Sequence, residues 1–259
     1  MAEKLLDVKN LSISFGGIKA VEDVTFHVDE QEIVSLIGPN GAGKTTVFNL
    51  LTGVYQVDQG TISYKNKEIQ NWTPQNIVNE GISRTFQNIR LFGNMRVIEN
   101  VLVGRHIRTA YSLFDSIFRN RAFKKEEDQN IAEALKVLET LGLYDKKDEY
   151  STNLPYGDQR KLEIARAIAT GAELLLLDEP AAGMNSQESE SLMHFIGQLR
   201  QLGYTILLIE HDMSVVMNIS DRIYVLDNGK LIAGGCPEDI AHDPLVIEAY
   251  LGGDQDAQD

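Results

Sequence analysis

The run Gly38-Pro-Asn-Gly-Ala-Gly-Lys-Thr-Thr46 constrains this chain more than any other stretch. Through Gly38, Gly43, Lys44 and Thr45 it fits G-x-x-x-x-G-K-[ST], the spacing of a phosphate-binding P-loop. A glycine-rich loop can turn its backbone N–H groups inward as a nest for phosphate oxygens, and a helix leaving it adds the positive end of its dipole. Gly38, Pro39, Asn40, Gly41, Ala42, Gly43, Lys44, Thr45 and Thr46 are therefore candidate nucleotide contacts. Lys44 is placed to reach β- and γ-phosphates, and the Thr45 hydroxyl to ligate Mg²⁺. The flanks agree, since Glu32–Ile37 reads as a buried strand entering the loop and Thr45–Leu51 as a helix leaving it. At ordinary glycine usage the full pattern arises by accident about once in a hundred chains of this length.

Composition narrows the partners. A formal net charge of −14 over 259 residues argues against nucleic acid, whose phosphates need Lys and Arg. The single cysteine, Cys236, excludes an internal disulfide and suits a reducing compartment. The N-terminus lacks the apolar run of a signal peptide, and Ala2 stands where myristoylation requires glycine. Nothing approaches the roughly 20 apolar residues that span a bilayer. Any membrane role is expected to go through a partner.

Elsewhere the pattern alternates strands and helices. Leu5–Leu11 and Val21–Val28 read as strands joined by a turn at Phe15-Gly-Gly17, and Thr61–Tyr64 as a short strand. Pro74–Glu80 reads as a helix with Pro in its first turn, ended by Gly81 and followed by a strand over Ile82–Phe86. The middle is helical, with a stripe at Ile131, Leu135, Leu138 and Leu141. Arg105–Lys125 is basic with Tyr111, Phe114, Phe118 and Phe123 interspersed, and its ordinary reading is a solvated helical insertion. Lys161–Thr170 and Ser189–Leu202 read as helices closed by glycine, Glu173–Asp178 and Tyr204–Ile209 as buried strands. A helix over Met213–Ile219, a hairpin through Asp227-Asn-Gly229 and a helix over Pro244–Leu251 complete the list. The expected division is a core of 1–87 and 161–235, a helical insert of 88–160, a C-terminal helix within 236–251 and a disordered polar tail at 252–259.

Acidic residues form a second constellation. Four leucines run into Asp178, Glu179 and Pro180, and an acid at the C-terminal edge of a parallel strand beside a P-loop is where Mg²⁺ needs an oxygen partner. Asp178 takes that role, through water, and Glu179 is suited to accept a proton from attacking water. His211 follows the strand Tyr204–Ile209 at the same expected edge, where contact with a γ-phosphate is credible. His27, His106, His194 and His242 have no pairing that would suit a metal.

The order of P-loop, Gln87 after a strand, helical insert, Leu154-Pro-Tyr-Gly-Asp-Gln-Arg160, Leu-Leu-Leu-Leu-Asp-Glu-Pro180 and His211 resembles the ATP-binding cassette family. Within it, Ser83-Arg-Thr-Phe-Gln-Asn88, the Tyr-Gly corner and Ala249-Tyr-Leu-Gly252 are similar to the ATPase subunits of branched-chain amino acid importers. The resemblance implies an α/β fold: a RecA-like P-loop NTPase core, an N-terminal antiparallel β subdomain and an inserted helical subdomain. It implies that Phe15 stacks on adenine, that Gln87 senses Mg²⁺ and the γ-phosphate, and that Arg90–Phe92 borders a groove for a permease. Ala181–Asn185 matches the D-loop and His211 the switch histidine. Two subunits, identical or related, would pack head to tail, with Tyr156, Gly157 and Asp158 of each closing the other's P-loop. The resemblance further implies MgATP hydrolysis, permease partners, a solute-binding protein reached indirectly, and a place on the cytoplasmic face of the membrane.

The signature departs from Leu-Ser-Gly-Gly-Gln: Pro155, Tyr156 and Asp158 stand where the family has serine, glycine and glutamine. The lost hydroxyl removes a contact worth about 1–3 kcal/mol if charge-assisted. Asp158 either adds like charge near phosphate or caps the helix through its N–H groups. Alternatives at this level are the ATPase of another transporter, such as a lipopolysaccharide extractor, a soluble cassette protein of translation or repair, and a small-molecule P-loop kinase.

Overall fold

The computed structural model describes residues 3–108 and 121–252. The basic aromatic stretch around Tyr111, Phe114 and Phe118 and the tail from 253 onward lie outside the described residues.

Two strands, β1 (Lys4–Phe15) and β2 (Ile18–Asp29), pair antiparallel and run longer than their apolar cores. A register shift between Val8 and Leu11, with Asn10 at φ 51°, re-phases β1 so that Leu6, Val8, Leu11 and Ile13 are all buried. Next come β3 (Ile33–Ile37), α1 (Lys44–Leu51), β4 (Gln59–Tyr64) and β5 (Lys67–Glu68), and β4 and β5 extend the first sheet in the order β2-β1-β4-β5. Helix α2 (Pro74–Glu80) is capped by the Thr73 side chain and ends on Gly81, and β6 (Ile82–Arg84) stops short of the expected Phe86.

The helical part holds α3 (Val97–Arg105) and α4 (Arg121–Thr140). In α4 the buried positions are Asn130, Ala134 and Leu138, followed by Leu141, whereas Ile131, expected in the stripe, is exposed. Leu138 and Leu141 hold their expected places, while at the start of the stripe Asn130 and Ala134 take the buried positions in place of Ile131 and Leu135, because neither Asn130 nor Ala134 carries enough hydrophobicity to stand out in the sequence.

Helix α5 (Tyr156–Ala169) begins five residues before the expected Lys161, so the expected boundary at 160/161 falls inside it. Its Gly104-facing side meets α3 backbone to backbone: a Cβ added at Gly104 would lie 2.3 Å from the carbonyl oxygen of Arg166.

The remainder is β7 (Leu174–Asp178), α6 (Ser186–Gln201), β8 (Thr205–Ile209), α7 (Met213–Ile219), β9 (Arg222–Asp227), β10 (Lys230–Gly235), α8 (Pro237–Ala241) and α9 (Pro244–Gly252). Helix α6 starts at Ser186 because Asn185 and Glu188 form a reciprocal capping box. The expected helix over Pro244–Leu251 is α9, with Pro at its first position, and a short helix not expected, α8, precedes it within 236–251.

The second sheet has the order β10-β9-β3-β8-β7-β6, parallel throughout except for the β9–β10 hairpin. Both faces are covered, which explains the unbroken apolar runs. Leu174 and Leu176 of β7 pack toward the antiparallel sheet with Val34, Leu36, Leu207 and Ile209. Leu175 and Leu177 turn to the other side, with Ile33, Ile206 and Leu208, against α3–α6. The result is the α/β fold the resemblance implies.

Candidate active site

Strand order alone brings the constellations together. β8 lies between β3, which feeds the P-loop, and β7, which ends in Asp178. Leu36 and Asp178 both stand opposite Ile209, so residues just beyond these three strands share one edge. That carboxyl edge is where ligands bind in open parallel sheets.

The P-loop is wrapped around its own lysine. Lys44 is buried, and its Nζ donates to the carbonyl oxygens of Gly38 at 2.6 Å and Pro39 at 2.9 Å. Burial pushes the ammonium below the ordinary lysine value, against the opposing pull of the Glu179 and Asp178 carboxylates. Gly38 has φ +146°, and a Cβ there would lie 2.0 Å from the Leu226 carbonyl oxygen, so no other residue fits. A cleft of about 180 Å³ opens here, lined by Asn40, Gly41, Ala42, Gly43, Lys44, Thr45, Thr46, Glu179 and His211.

Glu179 is the centre of the site. Its Oε2 accepts from Gln87 Nε2 at 2.6 Å, and its Oε1 lies 2.6 Å from His211 Nε2. An ionised carboxylate only accepts, so this contact requires the proton on Nε2 of the imidazole. Glu179 also has φ +46°, a left-handed backbone that costs a non-glycine residue about 1–3 kcal/mol. Its N–H donates to the Ile209 carbonyl at 2.9 Å, which holds the turn against β8.

Asp178 is not a bare carboxylate. Arg84 Nη2 donates to its Oδ2 at 2.6 Å, and Arg84 Nη1 donates to Asn49 Oδ1 on α1 at 2.7 Å. The guanidinium lies 5.4 Å from the Phe48 ring and 5.3 Å from that of Phe86.

Arg84 and Glu210 also belong to this edge, although no motif in the sequence gives either a role. Buried Glu210 accepts from the Ala181 N–H at 2.9 Å and the His211 N–H at 3.3 Å, bridging the segments after β7 and β8. Burial raises its carboxyl above the usual glutamate value, the two backbone donors opposing. An acid placed directly before His211, at the end of an apolar strand, was the available signal.

Other expected contacts sit apart from the cleft. Phe15, at the end of β1, is 44% exposed and meets Tyr55 edge-on at 5.1 Å. Tyr156, Gly157 and Asp158 form the first turn of α5, where the Tyr156 hydroxyl donates to the Ala182 carbonyl at 3.0 Å. The Asp158 side chain neither caps the helix nor stands unpaired: it binds Lys146, while its N–H donates to the Pro155 carbonyl.

The family model described as ABC transporter matches residues 21–182, and that of the branched-chain amino acid ATP-binding cassette transporter matches residues 230–256. The high-affinity branched-chain amino acid transport ATP-binding protein LivG of Salmonella typhimurium is 49% identical over 97% of this chain and 99% of its own length. BraF of Pseudomonas aeruginosa, described by the same function, is 45% identical over 97% of this chain and 99% of its own. A crystal structure of the ADP conformation of MJ1267, an ATP-binding cassette of an ABC transporter, superposes with a TM-score of 0.85 at 34% identity, covering 96% of this chain and 99% of that one.

Proposed function

The chain belongs to the ATP-binding cassette transporter ATPases, and from that premise we propose that it energises an importer of branched-chain amino acids. It is an ATPase subunit, and such subunits work with membrane permeases. No helix among the described residues is long and apolar enough to cross a membrane. The C-terminal family match and the LivG and BraF relatives support the substrate class.

The observation that carries the catalytic reading is the Glu179 carboxylate at the P-loop cleft, tethered on one oxygen by Gln87 and on the other by His211. Glu179 accepts the proton of the attacking water. Gln87 and His211 orient that carboxylate, and His211, on the rim of the same cleft, faces the γ-phosphate. Lys44 offsets phosphate charge, Asn40–Thr46 supply the cradle, and Phe15 covers the adenine. Mg²⁺ would be held by the Thr45 hydroxyl, the Asp178 carboxylate through water and the Gln87 carboxamide oxygen. These hard oxygen donors suit it, and no cluster of three or more His, Cys, Asp or Glu among the described residues forms a separate metal cage. When bound, the ion neutralises charge on the transferring phosphoryl group.

The signature corner Tyr156–Asp158 is not part of its own chain's cleft, which supports a head-to-tail pair in which it closes a partner's site. Lys146 neutralises Asp158, so the departure from glutamine brings no bare negative charge toward that phosphate.

Glu179→Gln is expected to bind MgATP normally and to slow hydrolysis about 10²–10⁴-fold, the worth of a general base. Near-wild-type turnover would remove Glu179 from the role. Uptake of leucine, isoleucine or valine by the complex purified with its permeases tests the substrate class, and transport of an unrelated solute alone would overturn it.

A further inference from the structure

Three charged side chains of α5 reach the same short segment of main chain. Arg160 is fully buried, and its Nη1 and Nη2 donate to the carbonyl oxygens of Phe86 and Gln87, each at 2.8 Å. Glu163, also buried, accepts from Arg160 Nη1 at 2.9 Å and from the Arg90 N–H at 3.2 Å. Arg166 Nη1 donates to the Arg90 carbonyl at 2.5 Å. The spacing of three makes neighbours of Arg160 and Glu163 and of Glu163 and Arg166, and together they hold four main-chain groups between 86 and 90.

The segment so held carries Gln87, whose side chain tethers Glu179. The helix that holds it begins with Tyr156, whose hydroxyl is tied to Ala182, three residues beyond Glu179. Resting on the head-to-tail pairing proposed above, the two ends of this grip belong to different nucleotides. Tyr156-Gly157 faces the partner's triphosphate, and Gln87 faces the chain's own.

We propose that Arg160, Glu163 and Arg166 are positioning residues that lock the signature helix to the Gln87 loop, so that each chain links the two nucleotide sites of the pair. A displacement of α5 on engaging one triphosphate then moves the Gln87 main chain, and with it the carboxylate poised at the other. Arginine suits the task because its planar fork satisfies two adjacent carbonyls at once, whereas lysine offers a point charge.

The test is Arg160→Lys in the full-length chain. It keeps a cation beside Glu163 and loses the fork. Hydrolysis at saturating MgATP should fall about tenfold to a hundredfold, the cost of a small misplacement, while ATP affinity measured in the Glu179→Gln background stays within about twofold. The ATP dependence of the remaining activity should lose cooperativity, and amide exchange over 86–90 should speed up. Arg160→Met with Glu163→Leu, which replaces the buried pair by apolar packing, should fold and show the same loss of turnover. Unchanged hydrolysis in Arg160→Lys, an equal loss of affinity and turnover, or unaltered exchange over 86–90 would each overturn the inference. If Glu179→Gln itself fails to bind ATP, the fault lies instead with the functional reading on which this one rests.

Discussion

Replacing Arg84 with alanine isolates the buried ion pair at the carboxyl edge of the parallel sheet. The Arg84 and Asp178 side chains are each 7% exposed and 2.6 Å apart. The substitution leaves the Asp178 carboxylate at the end of β7 without its cation and Asn49 Oδ1 without its donor. Removing one partner of a buried pair costs about 3–5 kcal/mol, because the survivor keeps its desolvation penalty. For a chain of this size about 1 kcal/mol moves Tm by about 2–4 °C, so a fall of about 6–20 °C is expected. Lys67–Glu80 provides the control: it spans the same 2.6 Å, yet its lysine is 59% exposed. Exposed pairs contribute about 0–1 kcal/mol, so Lys67→Ala should move Tm by no more than about 4 °C. The assay is thermal unfolding by circular dichroism, with Asp178→Asn and Arg84→Met completing a double-mutant cycle. The double variant should recover much of the loss, because no buried charge is left unpaired. Equal shifts for Arg84→Ala and Lys67→Ala, or strict additivity in the cycle, would refute the reasoning that burial and not distance sets the value of these pairs.

Two further outcomes follow from the site. Because burial raises the folded-state carboxyl of Glu210, protonation of that group favours the fold below the unfolded glutamate value of 4.5, and this contribution is lost as pH rises through the higher folded value. The Tm of Glu210→Gln minus that of wild type should therefore increase as pH is raised across that window, and a flat or falling difference would contradict it. Phe15→Ala should raise the apparent KM for ATP by about 2–13-fold, the range of an aromatic stacking contact worth about 0.5–1.5 kcal/mol, with kcat unchanged. An unchanged KM with a lowered Tm would instead assign Phe15 to strand packing.

What could be read in advance depended on whether hydrophobicity marked the residue. Buried strands such as Leu174–Asp178 announce themselves, as does a loop whose glycines and lysine have fixed spacing. β5 does not, because Lys67 and Glu68 are exposed at a sheet edge with no apolar pattern to detect. The start of α5 is hidden for a related reason: Arg160 is a core residue in burial but charged in kind, so the apolar pattern begins only at Leu162. The start of α6 is legible in Asn185 and Glu188, three apart, a capping signal that precedes the amphipathic stripe. Strand order lies beyond local pattern altogether. Only the insertion of β8 between β3 and β7 sets His211 beside Glu179.

The crossing at Gly104 governs how force can travel through the helical part of the molecule. At Gly104 the Arg166 carbonyl oxygen and the Ala169 Cβ lie where a side chain would stand, so the two helices meet there without one from α3. Close backbone contact of this kind leaves little room for α3 to shift without moving the helix that begins with Tyr156. Thickening the joint by one methyl, as Gly104→Ala would, must prise the helices apart and leave the transmission slack at its first link.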